Sequence, residues 1–117
     1  MYEYKAKVLR VIDGDTLEMM IDLGFHTHRV ENVRILDYDA PEVKLYKGVT
    51  QEEKELGLQA KAYAAEFFSL YPNVTVNTEY DKTGKYGRFL ARITVCNEQD
   101  ECIDYATMMI NEGYVKS

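Results

Sequence analysis

The sequence predicts a mainly β domain, a small and partly open barrel of five strands carrying two helices. Three observations point there. Apolar and polar residues alternate through "EYKAKVLRVID", "TLEMMIDL" and "HTHRVENVRIL", and again through "VTVNTEY" and "RFLARITV", which is the period of half-buried strands. One long segment between the two groups changes to helical spacing. A parallel α/β sheet needs a helix between most consecutive strands, and the order three strands, helix, two strands, helix does not supply them.

The first two strands are separated by "DGD", and Gly24 punctuates the next turn. Pro41 and a charged stretch end the third strand. From about Glu55 to Leu70, the residues Leu58, Ala62, Ala65 and Phe68 recur at spacings of four, three and three, which predicts one buried helical face. Pro72 and Asn73 stop that helix, while "QEEKE" and "NEQDECID" read as loop or turn. The glycine-containing "DKTGKYG" joins the last two strands. In the tail, Asp104 is the expected N-cap of the second helix and Gly113 its expected stop. Phe67, Phe68 and Phe89 are assigned to the core, and Tyr63, Tyr71 and Tyr105 to packing on or beside the helices.

A chain of 117 residues is read as one domain, 1–117, able to bury a modest core without staples. No apolar run approaches a membrane span and no signal peptide is visible, so the expectation is a cytoplasmic protein with no membrane association, a secreted mature form being the alternative. The net charge of −6 argues against broad electrostatic affinity for nucleic acid. Cys96 and Cys102 flank "NEQDE". Two free thiols in a reducing compartment is the favoured reading, and a small-loop disulfide across a hairpin the other. His26 and His28, two apart, are expected as surface strand residues, because two ligands do not make a zinc site.

Three segments carry polar residues at strand ends: "IDGDT", "VRILDYDAPE" and "KYGR". Each alone has an ordinary explanation as a turn or the start of a strand. Together they fit one chemistry. Asp15 and Asp39 offer two carboxylate oxygens to a hard cation such as calcium. Arg34 and Arg88 offer guanidinium groups shaped to grip phosphate oxygens at two points. Glu42 is left to orient or deprotonate an attacking water. A metal, two arginines and a spare carboxylate are the parts that phosphodiester hydrolysis needs.

The ordered set "IDGDT … VRILDYDAPE … KYGRFLA" resembles the staphylococcal nuclease (thermonuclease) family over nearly the whole chain, from about Lys5 to Tyr114. The resemblance implies an OB-fold-type barrel and calcium-dependent cleavage of DNA or RNA leaving 3′-phosphate ends. Carried over by position, it implies metal ligation by Asp15, Asp39 and the main-chain carbonyl of Ala40, with Asp13 in support. It implies a general base at Glu42, phosphate-gripping arginines at Arg34 and Arg88, and contacts from Lys85 and Tyr86 to a terminal phosphate. Against the family's pattern, a third helix and its base-packing tyrosines are expected to be missing after the second helix. That predicts weaker nucleotide affinity and an uncovered apolar surface favouring a homodimer. The acidic exterior predicts salt-sensitive binding and single-stranded or flexible DNA or RNA as substrate. The competing reading is a catalytically silent OB-fold module that binds nucleic acid or protein. The presence of all the core site residues favours the enzyme.

Overall fold

A computed structural model describes residues 2–43, 48–83 and 89–116, with 79–83 described by backbone alone. Strands β1 (Tyr2–Asp13), β2 (Thr16–Asp22) and β3 (His28–Ile35) come first, and helix α1 (Gln51–Leu70) follows. Then come β4 (Asn73–Thr83), β5 (Phe89–Cys96), the short β6 (Cys102–Asp104) and helix α2 (Tyr105–Asn111). The strands lie in the order β3-β2-β1-β4-β5-β6, and β3 also pairs with β5. That parallel pairing sets Val33 beside Phe89, Arg34 beside Leu90 and Ile35 beside Ala91, and it closes five strands into an OB-type barrel. Closure leaves those five strands without a free edge along the closing pair.

Strand alternation follows the sequence pattern. In β2, Leu17, Met19 and Ile21 are buried, and in β5, Ala91, Ile93 and Val95 face the same interior. Tyr105 and Met109 of α2 complete the core from one side, both with no exposed surface. Asp104 caps α2 by accepting from the Thr107 backbone N–H at 3.1 Å, and Gly113 follows the C-cap at φ +86, where a glycine is favoured. Both ends are those the sequence predicts.

Several elements depart from expectation. Part of "NEQDECID", expected as loop, forms a sixth strand, β6, which pairs with β5 outside the closed ring. Its register sets Cys96 opposite Cys102, and the two are joined in a disulfide, so the free-thiol reading is corrected. Hairpin pairing brings their Cα atoms to 4.1 Å, close enough for the bond. His26 lies in the β2–β3 turn with φ +61 rather than on a strand, and His28 opens β3; both are exposed.

Helix α1 starts a turn earlier than the spacing suggests. Thr50 is its N-cap, accepting from the Glu53 N–H at 3.1 Å, so "QEEKE" is helix, with Glu52 and Glu53 favourably placed in the first turn. Its inward face is also different. Gly57, Ala60, Ala64 and Phe68 are buried, whereas Leu58 is 46% exposed and Ala62 and Ala65 face solvent. The helix docks through its smallest residues. A Cβ on Gly57 would stand 2.2 Å from the carbonyl oxygen of Glu42, so no larger side chain fits at the contact. Of the assigned core phenylalanines, Phe68 is buried while Phe67 and Phe89 are partly exposed. Tyr71 is half exposed yet packs its ring 5.3 Å from that of Phe67.

Candidate active site

The turn between β1 and β2 supplies the first carboxylates. Gly14 sits where a Cβ would come within 2.9 Å of the Ala40 side chain, so the turn packs directly on the loop after β3. Tyr105 Oη donates to the Gly14 carbonyl at 2.6 Å and fastens the turn to α2. Asp15 is buried, only 7% exposed, and both of its oxygens accept hydrogen bonds. Oδ1 accepts from the Thr16 hydroxyl at 3.1 Å, while Oδ2 accepts from the Ala40 N–H at 2.9 Å and faces Arg34 Nη2 at 3.1 Å. Burial, with a hydrogen bond and like charge from Asp13, pushes the Asp15 carboxyl up to about 6, against the lowering pull of the Ala40 N–H and of Arg34.

Strand β3 delivers Arg34, held in place by flanking Val33 and Ile35 that point into the core. Past Ile35 the chain turns sharply at Asp37, whose φ of +58 is one that Asp tolerates better than most residues. The Asp37 carboxylate accepts from the Arg92 guanidinium at 2.5 Å, which ties the turn to β5. Tyr38 is buried and donates from its hydroxyl to the Tyr114 carbonyl at 2.5 Å. Asp39 then projects outward and accepts from the Arg34 guanidinium, so Arg34 bridges Asp15 and Asp39. Ala40 and Pro41 turn back into the core and present Glu42 at the rim.

Asp13, Asp15, Arg34, Asp39, Ala40 and Glu42 thus surround one cavity of about 260 Å³, with Pro41 and Lys116 completing its wall. Six of the nine residues singled out from sequence are brought together. The other three, Lys85, Tyr86 and Arg88, lie outside the described residues. A larger depression of about 470 Å³ lies over Lys5, Lys7, His28 and Thr75 and contains none of the site residues.

A family model described as "Staphylococcal nuclease homologue" matches residues 32–117. The chain belongs to the staphylococcal nuclease family. The match begins at Asn32, so Asp13 and Asp15 precede it; their place in the site rests on the packing of Gly14 against Ala40 and on the Asp15 bonds. The chain is also similar to an uncharacterized protein of Methanocaldococcus jannaschii, 28% identical over 127 residues covering 97% of this chain and 58% of that protein. It therefore spans little more than half the length of that relative.

The calcium that the nuclease family implies can be tested against the donors present. All are hard oxygen groups, and a divalent cation beside Asp15 would offset both the burial and the Asp13 charge that hold its proton on. Two carboxylates and a main-chain carbonyl are fewer side-chain donors than an all-protein cage uses, and among the described residues no group of three or more His, Cys, Asp or Glu is arranged as one. The residues fit a cation whose remaining positions are filled by water and substrate. Arg34 pairs with Oδ1 of Asp39, and the side chain of Asp39 is otherwise largely exposed.

Sequence reasoning missed Lys116. Its Nζ stands 3.3 Å from Glu42 Oε1, and its backbone N–H donates to the Asp39 carbonyl at 3.1 Å. No motif marks a single lysine in a tail. Only the fold brings it to residues 74 positions away.

Proposed function

We propose that this staphylococcal nuclease-type domain is a calcium-dependent phosphodiesterase that hydrolyses single-stranded or flexible DNA or RNA and leaves 3′-phosphate ends. The supporting observation is the single open cavity that gathers Asp15, Arg34, Asp39 and Glu42. In this reading Asp15, Asp39 and the Ala40 carbonyl hold calcium, and Asp13 supports Asp15. Bound calcium supplies a Lewis acid beside the phosphate and a lowered pKa for nearby water.

The protein's own groups do the rest. Glu42 takes a proton from the attacking water, whose oxygen bonds to phosphorus while the bond to the 5′-oxygen breaks. The departing 5′-oxygen takes a proton from solvent and leaves as a hydroxyl, Glu42 returns its proton to solvent, and the phosphate stays on the 3′ side. Arg34 and Arg88 bind the phosphoryl oxygens on which charge grows. Lys85 and Tyr86 contact a terminal phosphate.

The test is hydrolysis of heat-denatured DNA by purified protein, with calcium or with chelator, beside the Glu42→Gln and Arg88→Ala variants. Calcium-dependent release of 3′-phosphorylated fragments, reduced by about a hundredfold or more in both variants, is expected. A folded protein that binds single strands but cleaves nothing at any calcium concentration sinks the enzyme reading. One observation favours that second reading, a binding module: Arg34 links Asp15 to Asp39 as a ready-made ionic brace.

A further inference from the structure

Four carboxylates face the cavity, from Asp13, Asp15, Asp39 and Glu42, and among the described residues only Arg34 and Lys116 bring positive charge to it. Arg34 is committed to Asp15 and Asp39. Lys116 is differently held. Its main chain is fixed by the N–H bond to the Asp39 carbonyl, and two residues earlier Tyr38 grips the Tyr114 carbonyl. Segment 114–116 is therefore strapped to the loop 37–42 that carries the acids. Among the described residues the ammonium makes one contact, 3.3 Å to Glu42 Oε1, with the lysine side chain 49% and the glutamate side chain 31% exposed. A half-exposed ion pair of this kind contributes little and exchanges readily.

We propose that Lys116 is a substrate-binding residue of this site, an ammonium that rests on Glu42 when the cavity is empty and transfers to a phosphate oxygen of a bound nucleic-acid strand. This deepens the nuclease reading and rests on it for the identity of the ligand. A fixed backbone with a free four-carbon stem keeps the charge within a few ångströms of the cavity while letting it change partner. Lysine, a compact point charge with three donors, suits a phosphate whose orientation varies along a flexible strand. The transfer also uncovers Glu42 at the moment substrate arrives, so one movement serves binding and frees the carboxylate.

The experiment compares wild type, Lys116→Met and Lys116→Arg. Two quantities are read: hydrolysis of a single-stranded oligothymidylate, and calcium-dependent binding of a fluorescein-labelled decathymidylate by anisotropy across a salt series. Expected for Lys116→Met is a KM and Kd about tenfold higher, kcat within about twofold, and a salt slope shallower by about 0.7, the loss of one phosphate contact to a single strand. Lys116→Arg keeps most of the affinity. A Lys116→Met protein with unchanged Kd and slope overturns the proposal while leaving the nuclease reading intact. A fall in kcat at constant KM overturns it too, because Lys116 would then act only by positioning Glu42. If wild type binds without cleaving and the slope still drops in Lys116→Met, the contact stands and the nuclease reading fails. Absence of any binding by wild type overturns both.

Discussion

Arg34 Nη2 stands 3.1 Å from Asp15 Oδ2, and the same guanidinium reaches Asp39, so the group proposed to bind phosphate is interlocked with the two carboxylates proposed to hold calcium. Under the proposed function the arginine and the cation share the same two carboxylates. Arg34→Met should therefore bind calcium more tightly, by about tenfold in calorimetry, since a positive charge has been removed beside the cation. Hydrolysis should fall by about a hundredfold or more at saturating calcium. Weaker calcium binding in Arg34→Met would show that the arginine organises the carboxylates instead of competing for them.

Asp15 should make the calcium-free protein less stable as pH rises. Its carboxyl is raised from 3.8 to about 6 in the fold, chiefly by burial, so between these values the folded state holds a proton that the unfolded chain has released. The contribution falls across that window and is flat above it, by on the order of 2–3 kcal/mol in all. Urea denaturation with chelator, wild type against Asp15→Asn, should show a difference that widens from pH 4 to 7 in favour of the variant, with Asp15 as the source. Calcium should reverse the trend by favouring the ionised form. A difference independent of pH rules out this carboxyl as the cause.

Gly57 and Leu58 offer opposite outcomes on adjacent residues. Gly57→Ala places a methyl 2.2 Å from the Glu42 carbonyl oxygen, a backbone atom that cannot swing aside as a flexible side chain would. It should destabilise by about 1–3 kcal/mol despite the better helix propensity of alanine, and should lower kcat by moving Glu42. Leu58→Ala, on a residue 46% exposed, should cost under about 1 kcal/mol. Thermal melts of the two variants that rank the other way would restore the inward face expected from the spacing.

The Cys96–Cys102 disulfide closes a sequence separation of six residues on a hairpin that carries none of the cavity residues. Reduction, or the double serine variant, should lower stability by about 2 kcal/mol from the loop it closes. Nuclease activity at low denaturant should be unchanged. A loss of activity on reduction in a still-folded protein would tie the hairpin to the site.

Much of the barrel was legible because alternation marks strands whichever neighbour they pair with, and because Asp104 and Gly113 act locally on α2. The start of α1 carries a signal too: Thr50 and Glu53 stand at the spacing of a capped helix, but the acidic run between them resembles a loop. The inward face of α1 was misread for a physical reason. Leu58 set the expected face one position off, whereas Gly57, which carries no hydrophobic signal, makes the closest approach, and only Phe68 is common to both faces. Asp15, Arg34, Asp39 and Glu42, singled out by residue type and order, do line one cavity. Lys116 has neither signal, since its position depends on contacts made by its own and neighbouring main-chain atoms across the fold.

Two hydrogen bonds that secure the acid-bearing turns come from far along the chain: Tyr105 to Gly14 across 91 residues, and Tyr38 to Tyr114 across 76. A chain emerging from the ribosome as far as Asp104 would have all five barrel strands made, yet neither anchor. Asp15 and Asp39 would then lie on turns without their fastening for roughly another second of synthesis, at about 5–20 residues per second. The order of translation thus leaves the turns that carry Asp15 and Asp39 unfastened until α2 and the residues after it dock.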